Sequence, residues 1–196
     1  HKSSRGLGDV YKRQTFCINC MGKILVIGAN GSVGKSCVNN LKDDNDLVLI
    51  SRSEFDSDVE GNFEKNVLDI NDYTNTESFI KSINYEISGI IFAIGSINLK
   101  PFSSTSVDDF KKIMDDNFYN IVHFLNNCIT KMSDSSSVVF FSSIAAVRGF
   151  KNHTAISSAK SALIGLSNSL AADYAPKIRF NTCLLYTSPS PRDDLW

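Results

Sequence analysis

Residues 23–41 constrain the fold more than any other stretch. Lys23 to Ala29 (KILVIGA) is a short apolar, β-branched run, and it leads directly into Gly28-Ala29-Asn30-Gly31-Ser32-Val33-Gly34. Beyond the glycines, Val33, Cys37, Val38 and Leu41 recur at helical spacing. The segment therefore reads as strand, tight turn, helix. Glycines at such a turn let the backbone reverse sharply and approach a phosphate, whose charge the free N–H groups of the helix start can meet.

The rest of the chain repeats the alternation. Leu47–Ile50 reads as a second buried strand, Phe63–Asp69 as a weaker third, and Gly89–Gly95 (GIIFAIG) as a fourth, preceded by a helix over about 76–83. From Val107 to Met132 the residues Phe110, Ile113, Met114, Phe118, Ile121, Val122, Leu125, Cys128 and Ile129 keep a 3.6-residue period, which predicts one long helix. Ser137–Ser143 (SVVFFSS) reads as a fifth strand, Thr154–Tyr174 as another amphipathic helix, and Ile178–Asn181 as the beginning of a sixth strand. These strands are continuous apolar runs, as in parallel strands buried on both faces. The expected class is α/β: a Rossmann-like, doubly wound parallel sheet truncated after its sixth strand, with ligands at the carboxyl ends of the strands.

The two ends stand apart from that domain. Ser4–Gln14 (SRGLGDVYKRQ) can be back-translated into DNA whose reverse complement, read one base out of frame, encodes CLLYTSPSPR and the start of Asp, the segment Cys183–Asp193. That DNA resembles the adapter of a transposon-based sequencing library. The expected organisation is thus a non-native segment at 1–20, an incomplete nucleotide-binding domain at 21–182, and an adapter-derived tail at 183–196.

Charge and composition narrow the partners. Over 196 residues, 20 basic against 21 acidic side chains give a net charge of -1, with no basic field for nucleic acid or an anionic membrane. No apolar run is long enough to span a bilayer and no secretory pattern opens the chain, so a cytoplasmic location is expected. Five Cys and three His form neither an even disulfide framework nor a paired metal pattern, so no metal site is expected; the Cys17-x-x-Cys20 pair has no second ligand pair.

Two nucleotide chemistries compete at the glycine turn. Ala29–Ser36 (ANGSVGKS) fits a relaxed phosphate loop, with Lys35 and Ser36 in the places for phosphate and magnesium. Such a site also needs an Asp at the end of a second apolar strand, and the fourth and fifth strands end in Gly95 and Ser143. The alternative is a dinucleotide, with Gly28, Asn30, Gly31, Ser32, Val33 and Gly34 around the pyrophosphate. The second strand ends in Ser51-Arg52-Ser53, where an acidic residue would hold the ribose hydroxyls of NAD. Arg52 can instead pair with the 2′-phosphate of NADP, which makes NADP(H) the expected cofactor ahead of NAD.

From the glycine turn onward the chain resembles the short-chain dehydrogenase/reductase family. Asp69-Ile70 is similar to the family's adenine-contacting pair, and Phe92-Ala93-Ile94-Gly95 stands where the family has Asn-Asn-Ala-Gly, which places Ala93 and Gly95 beside the cofactor. Asp116-Asn117-Phe118 resembles the family's Asn, at which the helix is distorted and a carbonyl is exposed to a proton-relay water. Ser143 is similar to the Ser that hydrogen-bonds the reacting carbonyl, and Lys160, four residues after Ile156, has the spacing of the Lys in Tyr-x-x-x-Lys. Ile156 occupies the place of the Tyr, the family's proton donor.

The resemblance implies an NADP-dependent oxidoreductase acting on a carbonyl/alcohol pair, with Asn117, Ser143 and Lys160 as catalytic residues. Lys160 would also hold the nicotinamide ribose. His153, three residues before Ile156, is a candidate substitute acid. The expected partners are a small-molecule carbonyl or alcohol and, for the full-length protein, further copies of itself. A binding protein that keeps the nucleotide and has lost turnover is the alternative, and a phosphate-loop NTPase the third reading.

Overall fold

The structure is a computed structural model, which describes residues 22–185 apart from positions 58, 60 and 62. Six strands form one parallel sheet in the order β3-β2-β1-β4-β5-β6. In chain order the elements are β1 (Lys23–Ile27), α1 (Ser32–Leu41), β2 (Leu47–Ser51), β3 (Glu64–Val67), α2 (Tyr73–Ser82), β4 (Ile87–Phe92), α3 (Val107–Met114), α4 (Asn120–Cys128), β5 (Met132–Ser143), α5 (Thr154–Tyr174) and β6 (Ile178–Leu185). Strand order reverses between β1 and β4, so their carboxyl ends part at the crevice where doubly wound sheets bind nucleotides.

Alternation along the strands builds two cores. Leu25, Ile27, Val48, Ile50, Ile90, Phe92, Val138 and Phe140 point to the face covered by Ile80, Phe124 and Leu163. Val26, Leu49 and Ile91 point to the face covered by Val38 of α1. Phe92 stacks on Phe140 at 5.6 Å and meets Phe124 edge-on at 5.8 Å, which ties β4, β5 and α4 together. β3 lies at the sheet edge with its residues largely exposed, which accounts for its weak apolar signal.

The long helix predicted over 107–132 is helical as far as Lys131 but is not uniformly α. α3 gives way to a π turn at Asp115–Tyr119, α4 follows, a 3-10 turn spans Ile129–Lys131, and Met132 already belongs to β5. The π turn has a local cause. Asn117 Nδ2 donates to the carbonyl of Ile113, four residues back, at 3.0 Å, and so takes the acceptor that the α-helical N–H would use. Apolar periodicity does not register this insertion, because the residues on either side still face the core. β6 likewise continues past Asn181, with Cys183, Leu184 and Leu185 paired to Phe141, Ser142 and Ser143.

Gly28 and Gly34 shape the turn between β1 and α1. Gly28 has φ +88°, and a Cβ there would run into the Ala93 carbonyl; a Cβ on Gly34 would run into the carbonyl of Gly28. Gly34→Val is therefore expected to force α1 off the sheet, with a loss of about 1–3 kcal/mol or more. Urea unfolding followed by circular dichroism checks this, and an unchanged midpoint would contradict it.

Candidate functional site

Two adjoining cavities lie across the carboxyl ends of the strands. The first, about 310 Å³, lies among Gly28, Asn30, Gly31, Arg52, Asp69 and Ile70 and reaches Ala93 and Gly95. The second, about 740 Å³, opens beyond Gly31 and Gly95 and is lined by Ser32, Val33, Asn117, Ser143, His153, Ile156 and Lys160. Gly31, Ala93, Ile94, Gly95 and Ser96 border both, so they form one groove over the switch point. Of the candidates for the dinucleotide and catalytic sites, only Gly34 lies off this groove, packed under the turn.

The first cavity has the features a dinucleotide needs. Gly31 caps α1 with no side-chain hydrogen bond, and the first turn carries no acidic residue, so backbone N–H groups at the groove wall stay open to an anion. The loop after β2 is fastened to the glycine turn. Asn30 Nδ2 donates to the Glu54 carbonyl at 2.7 Å and its Oδ1 accepts from the Asp56 N–H at 3.3 Å, while Lys35 pairs with Asp56 at 2.7 Å. Arg52 is exposed at this lip of the first cavity. Asp69 accepts from the backbone and side-chain N–H groups of Asn71, whose side chain in turn meets Asn120. Lys35 and Ser36 line neither cavity, so the phosphate-loop pattern is not arranged around the groove.

The second cavity gathers what the chain would use for chemistry. Asn117 is fully buried; its Nδ2 donates to the carbonyls of Ser96 and Ile113, both at 3.0 Å, and its Oδ1 has no partner. Ser143 Oγ accepts from the Ala145 N–H at 3.2 Å, which leaves its hydroxyl hydrogen available to a ligand. Lys160 is 9% exposed, and its Nζ donates to the Phe141 carbonyl at 3.0 Å and toward that of Ile94 at 3.5 Å. Gly95 makes room between them: a Cβ there would stand 2.5 Å from Asn117 Oδ1 and 3.1 Å from Lys160 Nζ. Ile156, 5% exposed, packs with Ile113, Ala155 and Ala159. His153 immediately precedes α5, and its Nδ1 lies 2.6 Å from the Lys151 carbonyl, an acceptor, so Nδ1 carries the hydrogen of that contact.

Sequence reasoning missed Ser142, whose Oγ donates to the Lys160 carbonyl at 2.9 Å and fastens α5 to the end of β5. The signal was present: alternation from Val138 and Phe140 puts Ser142 on the buried face and leaves Ser143 toward the groove. It also missed Ser96, which donates to Asp116 at 2.7 Å and holds the π turn against the loop after β4.

Burial without a counter-charge pushes the Lys160 ammonium down from 10.5 to about 8. Between those two values the unfolded chain keeps a proton that the folded chain has released, so this group makes stability rise with pH across that window. Below about pH 8 both states are charged, and the buried ammonium costs on the order of 3 kcal/mol. The stability difference between Lys160→Met and the parent should therefore change in the parent's favour from pH 7.5 to 10 by roughly 2 kcal/mol, read from urea midpoints. A difference independent of pH would contradict it.

A glycine turn at the switch point of a 3-2-1-4-5-6 sheet, facing a groove that ends at a buried Lys, defines a Rossmann-type dinucleotide fold. The chain belongs to the short-chain dehydrogenase/reductase family of oxidoreductases: residues 29–188 match the family model described as Enoyl-(Acyl carrier protein) reductase. A chloroplastic tropinone reductase homolog of Arabidopsis thaliana is 29% identical over 122 residues, covering 59% of this chain and 38% of that protein. The matched stretch thus spans well under half of that relative. Among solved structures, the ligand-free aldohexose dehydrogenase of Thermoplasma acidophilum is similar with a TM-score of 0.76 and 25% identity, over 85% of this chain and 67% of that one. A short-chain dehydrogenase family protein of Francisella tularensis has the same TM-score and identity, over 85% and 70% of the two chains. Members of this family bind a nicotinamide dinucleotide and act on small molecules. Among the described residues no helix is long and apolar enough to cross a membrane, and no cluster of His, Cys, Asp and Glu could hold a metal ion.

Proposed function

We propose that the chain is the nucleotide-binding part of an NADP-dependent reductase or dehydrogenase for a carbonyl/alcohol pair, with an altered proton donor. The observation that carries this reading is the single groove running from Arg52 past the bare start of α1 to Ser143 and Lys160. In it Arg52 meets the 2′-phosphate, Asp69 and Ile70 border the adenine, Gly31, Ser32 and Val33 face the pyrophosphate, and Lys160 holds the nicotinamide ribose. The bound dinucleotide would supply or accept the hydride. Ser143 donates its free hydroxyl hydrogen to the substrate oxygen and so polarises the carbonyl.

No phenol stands at position 156, so the proton must come from elsewhere. His153 is the one other titratable side chain lining the second cavity among the described residues. With Nδ1–H held by Lys151, its Nε2 carries the exchangeable site, a base for alcohol oxidation and, once protonated, an acid for carbonyl reduction. A protein that binds the nucleotide without turnover is the second reading, favoured by the packing of Ile156 into an apolar cluster.

Calorimetric titration with NADPH, NADH and Mg-ATP tests the nucleotide assignment. NADPH is expected to bind at least about tenfold more tightly than NADH, since a charge-assisted hydrogen bond contributes roughly 1.5–3 kcal/mol. Mg-ATP is expected to bind weakly or not at all. Equal affinity for the two dinucleotides removes the NADP assignment, and tight Mg-ATP binding would restore the phosphate-loop reading. His153→Ala in a protein with measurable carbonyl reduction should lower the rate by about 10²-fold or more and change its pH profile. An unchanged rate and profile would remove His153 from the proton path.

A further inference from the structure

Three side chains on the wall of the first cavity form one hydrogen-bonded chain. Asp69 follows β3, Asn71 stands two residues further on, and Asn120 is the first residue of α4; all three line the cavity. Asn71 donates to Asp69 Oδ1 twice, from its backbone N–H at 3.0 Å and from its Nδ2 at 2.7 Å. Its own Oδ1 accepts from Asn120 Nδ2, across 49 positions of sequence. Asn120 is 3% exposed, so its amide is a fixed part of the α4 surface and not a solvated side chain.

The direction of this chain is set at its carboxylate end. An ionised Asp69 only accepts, so Asn71 must turn its NH2 toward it, and the Asn71 amide oxygen then faces α4. Only a donor can meet that oxygen, and the buried Asn120 supplies one. Helix initiation does not account for the arrangement. α2 is capped by Asp72, whose side chain accepts from the Asn75 N–H at 3.0 Å, and the Asp72 N–H is held in turn by the Asp69 carbonyl. What Asn120 and Asn71 hold is the carboxylate itself. Both Asn71 donors go to Oδ1, which leaves Oδ2 as the oxygen without a protein partner among the described residues.

We propose that Asn120, acting through Asn71, is a positioning residue that sets the base preference of the nucleotide site. The proposal rests on the reading of the first cavity as the adenine end of a dinucleotide groove. With Oδ1 occupied, Asp69 offers Oδ2 to the base, where it accepts from the exocyclic amino group of adenine. A 6-oxo purine brings an acceptor to the same place and meets the carboxylate with repulsion. If Asn71 were released from Asn120, its amide could turn away and the carboxylate could rotate, so that neither oxygen would be committed to the base. The discrimination between amino and oxo bases is therefore held by a residue of α4 that is remote in sequence from the Asp that reads the base.

Calorimetric titration of the whole chain with NADPH and with its reduced hypoxanthine analogue, which carries a 6-oxo base in place of adenine, tests this. The parent is expected to favour NADPH by at least about tenfold, the difference a hydrogen bond to a charged group supports. Asn120→Asp keeps the shape of the side chain but presents acceptors to the Asn71 oxygen; it should bring the two affinities to within about threefold of each other. Asn71→Ala, at an exposed position, cuts the same chain from its other end and should give the same ratio, and the double variant should lose no more discrimination than either alone. A merely structural role would weaken both nucleotides alike and leave their ratio unchanged. A variant that keeps the parent's ratio, or a parent that binds NADPH without favouring it over the analogue, overturns the inference and leaves the nucleotide reading in place. A parent that binds neither overturns both.

Discussion

Ile156→Tyr is expected to create or raise NADPH-dependent carbonyl reduction by about 10²–10⁴-fold, the contribution of a positioned general acid. Position 156 lies one turn before Lys160 on α5, on the wall of the cavity that holds Ser143 and Asn117. A phenol there would lie beside the Lys160 ammonium, which favours the phenolate and lowers the phenol from its ordinary value of about 10 toward the working range. The extra volume has somewhere to go, because Ile156 borders both the apolar cluster around Ile113 and the open second cavity. Ile156→Phe is the control: it brings the ring without the hydroxyl and should leave the rate at the parent level. NADPH consumption against a panel of small aldehydes and ketones reads both variants. Equal behaviour of the Tyr and Phe variants would show that the pocket lacks more than its donor. His153→Ala placed in the Ile156→Tyr background should cost little if His153 had been standing in for the phenol, because the restored donor makes it redundant.

What the sequence made legible follows from which interactions are local. The glycine turn, the five buried strands and the Ser143, Ile156 and Lys160 spacing are patterns within one element or between neighbouring ones, and Gly28, Gly31, Ser143, Ile156 and Lys160 come to one groove. Thr154–Tyr174 is a helix with the same bounds in sequence and structure, because its small and apolar residues keep their period without interruption. The π turn within the long helix was hidden because its cause is a single side-chain amide competing for the Ile113 carbonyl, which leaves the apolar pattern intact. The resemblance to the family had pointed to Asn117 as a place of helix distortion, and a π turn lies there. The fastening of the β2 loop by Asn30 could not be read at all. It joins residues 24 or more positions apart through backbone groups of Glu54 and Asp56, and any residue has a backbone to offer.

That fastening bears on the second large effect, which concerns cofactor choice. Arg52→Asp is expected to weaken NADPH by roughly ten- to a hundredfold and to strengthen NADH, reversing the preference. The parent guanidinium lies at the lip of the first cavity, beside Ser53 and Asn30. Its loop also carries acidic side chains, yet the carboxylate of Asp56 is paired with Lys35, so the loop does not present that charge unopposed to a phosphate. An Asp at 52 removes the bidentate donor, adds repulsion against the 2′-phosphate and supplies an acceptor pair for the two ribose hydroxyls of NADH. Since Asn30 and Lys35 hold the loop independently of position 52, the substitution should change the ligand preference with little change in the unfolding midpoint. Arg52 is exposed, so salt gives a second reading: raising ionic strength should weaken parent binding of NADPH more than that of NADH, and should lose this difference in the variant. Calorimetric titrations of both nucleotides at low and high salt measure all of these quantities. A parent that binds the two alike, or a variant that keeps the parent's ratio, would place the 2′-phosphate away from Arg52.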